Sequence, residues 1–107
     1  MKKYTAPVEA VHPGDLLLEE FMKPLGLSAQ AVARAIGATP LAISAITRRK
    51  RRVTGEMALR LGHLFGVSPE LWLGIQADYD LEVARDRWGA EILKRVQPVN
   101  FDQAKAA

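Results

Sequence analysis

A chain of 107 residues, 49% apolar and 25% charged, carries enough material for one hydrophobic core and one domain, with the composition of a folded globular chain rather than a disordered one. It holds no cysteine, which excludes disulfide frameworks and thiolate metal sites, and a separate substrate domain of the kind many enzymes use would not fit. The formal net charge of +3 is concentrated: before residue 48 four cations balance four acids, after residue 52 six cations face eight acids, and Arg48, Arg49, Lys50, Arg51 and Arg52 carry the whole excess.

Taken in chain order, residues 1–12 read as an extended arm, because Pro7 and Pro13 turn the residues before them away from helix. The arm contains no apolar run of the signal-peptide kind, and no stretch reaches membrane-spanning length, so a cytoplasmic protein without a membrane partner is expected. A first helix fits residues 13–23, with Pro13 at its opening position, Asp15 in its first turn, Leu17 and Phe21 on one face and Pro24 as its stop. A second fits 28–36, capped by Ser28, with Ala29, Val32, Ala33 and Ile36 inward and Gly37 at its end. Thr39 and Pro40 open a third that runs to about Arg48. Thr54 and Glu56 open a fourth, with Met57, Leu61, Leu64 and Phe65 inward. Ser68, Pro69 and Glu70 open a fifth that carries Leu71, Trp72, Leu73, Ile75 and Tyr79 and extends toward Trp88, with a break expected near residues 78–80.

No strand-like alternation of useful length appears. The expected fold is therefore all-α, a compact bundle of five helices, or six if Ile92, Leu93 and Val96 form a short last one. The expected organisation is an arm over 1–12, one domain over 13–89 that includes a dimerisation helix, and a short helix with a frayed tail over 90–107.

The centre of the chain has the requirements of a helix-turn-helix. Two helices crossing steeply over a short turn need a small residue at their contact and a glycine at the reversal, and Ala33 and Gly37 stand four apart in those places. Val32, Ile36, Ile43 and Ile46 supply the apolar lock. At about 100° per residue, an inward Ile43 and Ile46 leave Leu41, Ser44, Ala45 and Arg48 outward, and with Thr39 these are the candidates for a DNA major groove. The basic run directly behind them is the electrostatic footprint of phosphate binding. Cations at a helix C-terminus also suit its dipole, but five in succession exceed what capping requires.

Elsewhere the residues read as structural. The nearly continuous apolar surface around Trp72 exceeds what one helix of a small bundle buries internally; Leu71, Trp72, Ile75 and Tyr79 are therefore candidates for a dimer contact, with burial in the core as the alternative. Asp78, Asp80 and Glu82 read as solvated carboxylates rather than as a metal or acid–base site. His63 has no second ligand at metal spacing, and Ser28 and Ser68 are helix caps, not nucleophiles. No catalytic residue, cofactor or metal is expected.

Five segments resemble the HigA antidote proteins of bacterial toxin–antitoxin pairs, within the Cro/repressor-type, lambda repressor-like helix-turn-helix group. They are His12-Pro13-Gly14-Asp15 with Leu17 and Phe21; Pro24-Leu25-Gly26-Leu27-Ser28; Val32-Ala33-Arg34-Ala35-Ile36-Gly37; residues 54–65; and Ser68-Pro69-Glu70 with Trp72-Leu73 and Gln76-Ala77-Asp78-Tyr79-Asp80-Leu81. The resemblance covers residues 11–85. It implies a nucleoid-associated homodimer that neutralises a small HigB-like, ribonuclease-type toxin and represses the shared operon at a palindromic operator in double-stranded DNA. It also implies that Gln30 holds a phosphate, that Thr39, Leu41, Ser44 and Arg48 meet base edges, and that His12 belongs to the entry of the first helix.

The departures from the family pattern carry their own expectations. The outward face holds Leu41, Ala42, Ser44 and Ala45 where relatives often have Gln, Arg, Asn or Glu, so direct readout rests on Thr39, Ser44 and Arg48 with apolar contacts to thymine methyls. Arg48-Arg49 stands where Asn-Gly is usual, which predicts a left-handed arginine at a cost of about 1 kcal/mol. Such a protein trades base-edge specificity for phosphate attraction and shows steep salt dependence with a modest ratio of specific to non-specific binding. Two other readings stay open: a stand-alone transcriptional regulator with no toxin, and a protein-interaction module whose helix pair no longer reads DNA.

Overall fold

The computed structural model describes Tyr4 and residues 9–102. The rest of the expected arm, residues 1–3 and 5–8, and the last five residues of the tail lie outside the described residues. Among the described residues there are five helices and no strand. α1 covers residues 13–25 in three joined stretches, Pro13–Leu16, Leu17–Met22 and Lys23–Leu25. It is followed by α2 (Ala29–Ile36), α3 (Pro40–Thr47), α4 (Gly55–Phe65) and α5 (Pro69–Arg95).

Each helix starts where a side chain satisfies its free amides. His12 caps α1: its Nδ1 accepts from the Gly14 amide at 2.9 Å, while the Asp15 carboxylate accepts from the His12 amide at 2.9 Å, a reciprocal capping box. Ser28, Thr39, Thr54 and Ser68 cap the other four helices. Pro24 does not stop α1. The helix widens into π turns over Leu17–Met22 and continues through the proline to Leu25; a widened ladder is one of the local adjustments that accommodates an inserted irregularity.

The core lies where α1, α2, α3 and α4 meet the first half of α5. Leu17, Val32, Ile43, Ile46, Val53, Leu61 and Trp72 are fully buried. Trp72 packs beside Phe21 with ring centroids 5.6 Å apart, and Phe21 stacks on Phe65 at 4.5 Å. The close approach of α1 to the end of α3 depends on Gly14: a β-carbon built there would sit 1.8 Å from the Ile46 carbonyl oxygen.

Further expectations are corrected. Leu64 is 37% exposed and Ala58 takes the buried position on α4. Ala42 faces the core rather than outward. α5 has no break near residues 78–80, and Ile92 and Leu93, expected in a separate last helix, belong to it; its 27 residues run unbroken to Arg95, a rod of about 40 Å. Its second half projects from the packed part, so the radius of gyration is 18.3 Å where a compact chain of this length has about 13 Å.

Candidate nucleic-acid interface

α2 and α3 form the helix pair. α2 buries Val32, Ala33 and Ile36 and leaves Gln30, Arg34 and Ala35 exposed. Gly37 ends it in the left-handed conformation, φ 73°, where a side chain would be strained, and the Ala38 amide closes the turn on the Ala33 carbonyl at 2.9 Å. Thr39 then starts α3, its Oγ1 accepting from the Ala42 amide at 3.1 Å. That bond uses a lone pair and leaves the hydroxyl hydrogen free to donate. α3 turns Ala42, Ile43 and Ile46 inward. Of the expected readers, Leu41 (73% exposed), Thr39 and Arg48 stand in solvent, while Ser44 and Ala45 are half-buried on the same stripe.

The basic run separates into two groups. Arg49 is the one non-glycine residue with positive φ among the described residues, at 60°. The amides of Arg49 and Lys50 donate back to Ile46 (3.0 Å) and Ala45 (2.8 Å), closing α3 as a Schellman cap usually does with glycine. The Arg49 guanidinium forms a forked pair with Asp15, Nε to Oδ1 at 3.1 Å and Nη2 to Oδ2 at 2.6 Å, and lies 5.8 Å from the centre of the Tyr79 ring. Partial burial pushes the Asp15 carboxyl up, but the Arg49 pair and the His12 amide outweigh it and hold Asp15 below the usual carboxylate range. Burial pulls His12 below its ordinary value. The Tyr79 ring meets His12 edge-on, centroids 4.8 Å apart. Arg49 is thus a clasp between α1, the α3–α4 loop and α5, its guanidinium paired with Asp15 where a free phosphate-binding cation was expected.

Arg52 is also engaged, with Nη2 3.0 Å from Asp80 Oδ2. The other oxygen of Asp80 accepts from Gln76 Nε2 at 2.9 Å, and Gln76 Oε1 accepts from the Val53 amide at 2.7 Å. Gln76 is buried. The expectations above missed it, although a polar residue four positions after Trp72 in an apolar stripe is a detectable signal. Arg48, Lys50 and Arg51 remain exposed, without an ion pair among the described residues.

The expected dimer contact divides as well. Trp72 is 0% exposed and belongs wholly to the core, and Tyr79 is occupied by His12 and Arg49; Leu71 is exposed and Ile75 half-buried. Trp72 therefore leaves the contact set. A larger apolar surface lies further along α5, where Leu81, Ala84, Arg85, Gly89, Ala90, Ile92 and Leu93 line an open groove of about 570 Å³. On the same half Arg87 sits between the rings of Tyr4 (4.9 Å) and Trp88 (4.6 Å), and the Tyr4 hydroxyl donates to Asp86 at 2.7 Å. Desolvation and that carboxylate push the Tyr4 phenol up to about 12.

A short amphipathic helix, a glycine turn, a second helix with an exposed stripe and three unpaired cations behind it define a helix-turn-helix domain. The helix-turn-helix family matches residues 18–72. Virulence-associated protein I of Dichelobacter nodosus is 47% identical over 75 residues, 70% of this chain and 69% of that protein. Antitoxin HigA-1 of Vibrio cholerae is 34% identical over 89 residues, 83% of each. The solved Pseudomonas aeruginosa antitoxin HigA with the higBA promoter superposes with a TM-score of 0.83 at 32% identity, over 86% of this chain and 100% of that one. The chain belongs to the helix-turn-helix family and, within it, to the HigA-type antitoxins.

Proposed function

We propose that this chain is an antitoxin that binds a palindromic operator as a homodimer, represses its own operon and neutralises a cognate ribonuclease-type toxin. The observation that carries the reading is the exposed stripe of α3, from Leu41 to Arg48, next to the unpaired Arg48, Lys50 and Arg51, in a family with a member solved on promoter DNA. In this reading α3 enters the major groove. Thr39 and Ser44 donate to base edges, Leu41 and Ala45 meet thymine methyls, and Arg48 reaches a guanine. Gln30, in the first turn of α2, and the exposed cations hold phosphates on either side. Two copies place their α3 helices one helical turn apart, at half-sites roughly 10 bp from centre to centre.

The second half of α5 is the natural place for the two copies to pair. It sets the large Leu81, Ile92 and Leu93 beside the small Ala84, Gly89 and Ala90 in one groove, a pattern in which each copy offers both knobs and holes. The toxin partner rests on the antitoxin relatives, and a cytoplasmic, nucleoid-associated site of action follows from the DNA partner. Fluorescence anisotropy with the chain's own promoter fragment tests the DNA half. Binding should fall with salt with a logarithmic slope of roughly −5 for three phosphate-bound cations on each of two protomers, and Arg48→Ala with Arg51→Glu should abolish it. Co-expression with the neighbouring reading frame, scored for rescue of growth, tests the toxin half; a neighbour that is harmless alone argues for a stand-alone regulator.

A further inference from the structure

We propose that Asp80, braced by the buried Gln76, withholds Arg52 from DNA phosphates, so that the basic run offers fewer cations to a duplex than its sequence contains. The inference rests on the DNA-binding reading above and deepens it.

The bracing is geometric. Gln76 is buried and uses both ends of its amide, its oxygen on the Val53 amide at 2.7 Å and its nitrogen on Asp80 at 2.9 Å. One carboxylate oxygen of Asp80 is fixed by that bond and the other meets Arg52 at 3.0 Å. The pair is open to solvent, with side chains 62% and 40% exposed, so its own strength does not hold Arg52 in place against a phosphate. What resists the exchange is charge: a phosphate that captured Arg52 would leave the Asp80 carboxylate uncompensated beside it, and two like charges at close range repel. Asp15 does the same to Arg49 on the other side of the loop, with a forked pair.

The consequence falls on both kinds of binding alike. Phosphate neutralisation is sequence-independent and enters operator and non-specific affinity equally, whereas the base-edge contacts along α3, which Arg52 does not make, set the ratio between them. Trimming the cation count therefore lowers affinity and salt dependence on either duplex and leaves the ratio to α3. The salt dependence is thus shallower than a count of five free cations implies.

Salt titrations of the full chain on its promoter fragment and on a scrambled duplex test it with four proteins: wild type, Asp80→Asn, Arg52→Ala and the double variant. Asn at 80 keeps an oxygen for Gln76 Nε2 and removes the charge that holds Arg52. Asp80→Asn should steepen the logarithmic salt slope by about 0.9 per protomer and strengthen binding to the scrambled duplex and to the promoter by a similar factor. Arg52→Ala alone should leave the wild-type slope in place, and the double variant should return to it. A slope made shallower by Arg52→Ala alone, or an Asp80→Asn gain that persists in the double variant, overturns the proposal. Thermal melting accompanies each protein; if Asp80→Asn does not fold, the Arg52→Ala slope decides. A wild type that binds neither duplex removes the DNA-binding reading itself, and the proposal with it.

Discussion

Residues 69–80 and 81–95 belong to one unbroken helix and carry apolar and aromatic side chains at similar spacing, yet they do opposite things. The first half buries Trp72 and Gln76, partly buries Ile75 and Tyr79, and ties α1, α4 and the basic loop together. The second leaves Leu81, Trp88, Ile92 and Leu93 largely exposed, with Tyr4 of the arm against one side. The difference lies in what stands opposite, not in the residues themselves. An apolar stripe with a partner helix is core, and the same stripe without one stays an exposed surface.

The contrast can be broken most severely at Trp72. Trp72→Ala should cost about 3–5 kcal/mol in urea unfolding; Trp72→Phe should cost much less, since the ring still packs on Phe21 and the indole N–H, which has no partner among the described residues, is gone. Next comes Gly14→Ala, where the new methyl meets the Ile46 carbonyl and forces α1 from the end of α3 at about 1–3 kcal/mol or more. A smaller effect concerns pH. Both His12 and Asp15 have folded values below their ordinary ones, so the unfolded chain takes up protons first. Stability should thus be fully present above about 6.5, the ordinary histidine value, begin to fall as His12 protonates in the unfolded state, and fall further as the pH drops through the Asp15 range. Asp15→Asn should remove the lower of these two steps in a pH series of melting curves. The smallest effect on folding is expected at Trp88. Trp88→Ala should change monomer stability by less than about 0.5 kcal/mol, and Leu93→Glu should shift sedimentation from dimer to monomer without lowering helix content.

Much of the packed part was legible from local signals. The caps at Ser28, Thr39, Thr54 and Ser68 and the turn at Gly37 are written in single residues, and so was the left-handed backbone at position 49. The fate of Trp72 was not legible, because periodicity reports that a side chain seeks burial and not whether the chain itself supplies the partner. The basic run was legible as charge but not as two groups: Arg49 meets Asp15 across 34 positions and Arg52 meets Asp80 on another helix, and pairings at that separation leave no local trace. The continuity of α5 did have a trace that the acidic residues at 78 and 80 masked, since no proline occurs between Pro69 and Pro98.

The central claim is that the exposed stripe of α3 and the unpaired Arg48, Lys50 and Arg51 dock on a duplex. Hydroxyl-radical footprinting of the folded chain on its own promoter fragment tests it most directly. The account predicts two protected patches roughly 10 bp apart, lost together in the Arg48→Ala, Arg51→Glu double variant. A correctly folded, paired chain that leaves its promoter uniformly cleaved even at low salt contradicts it.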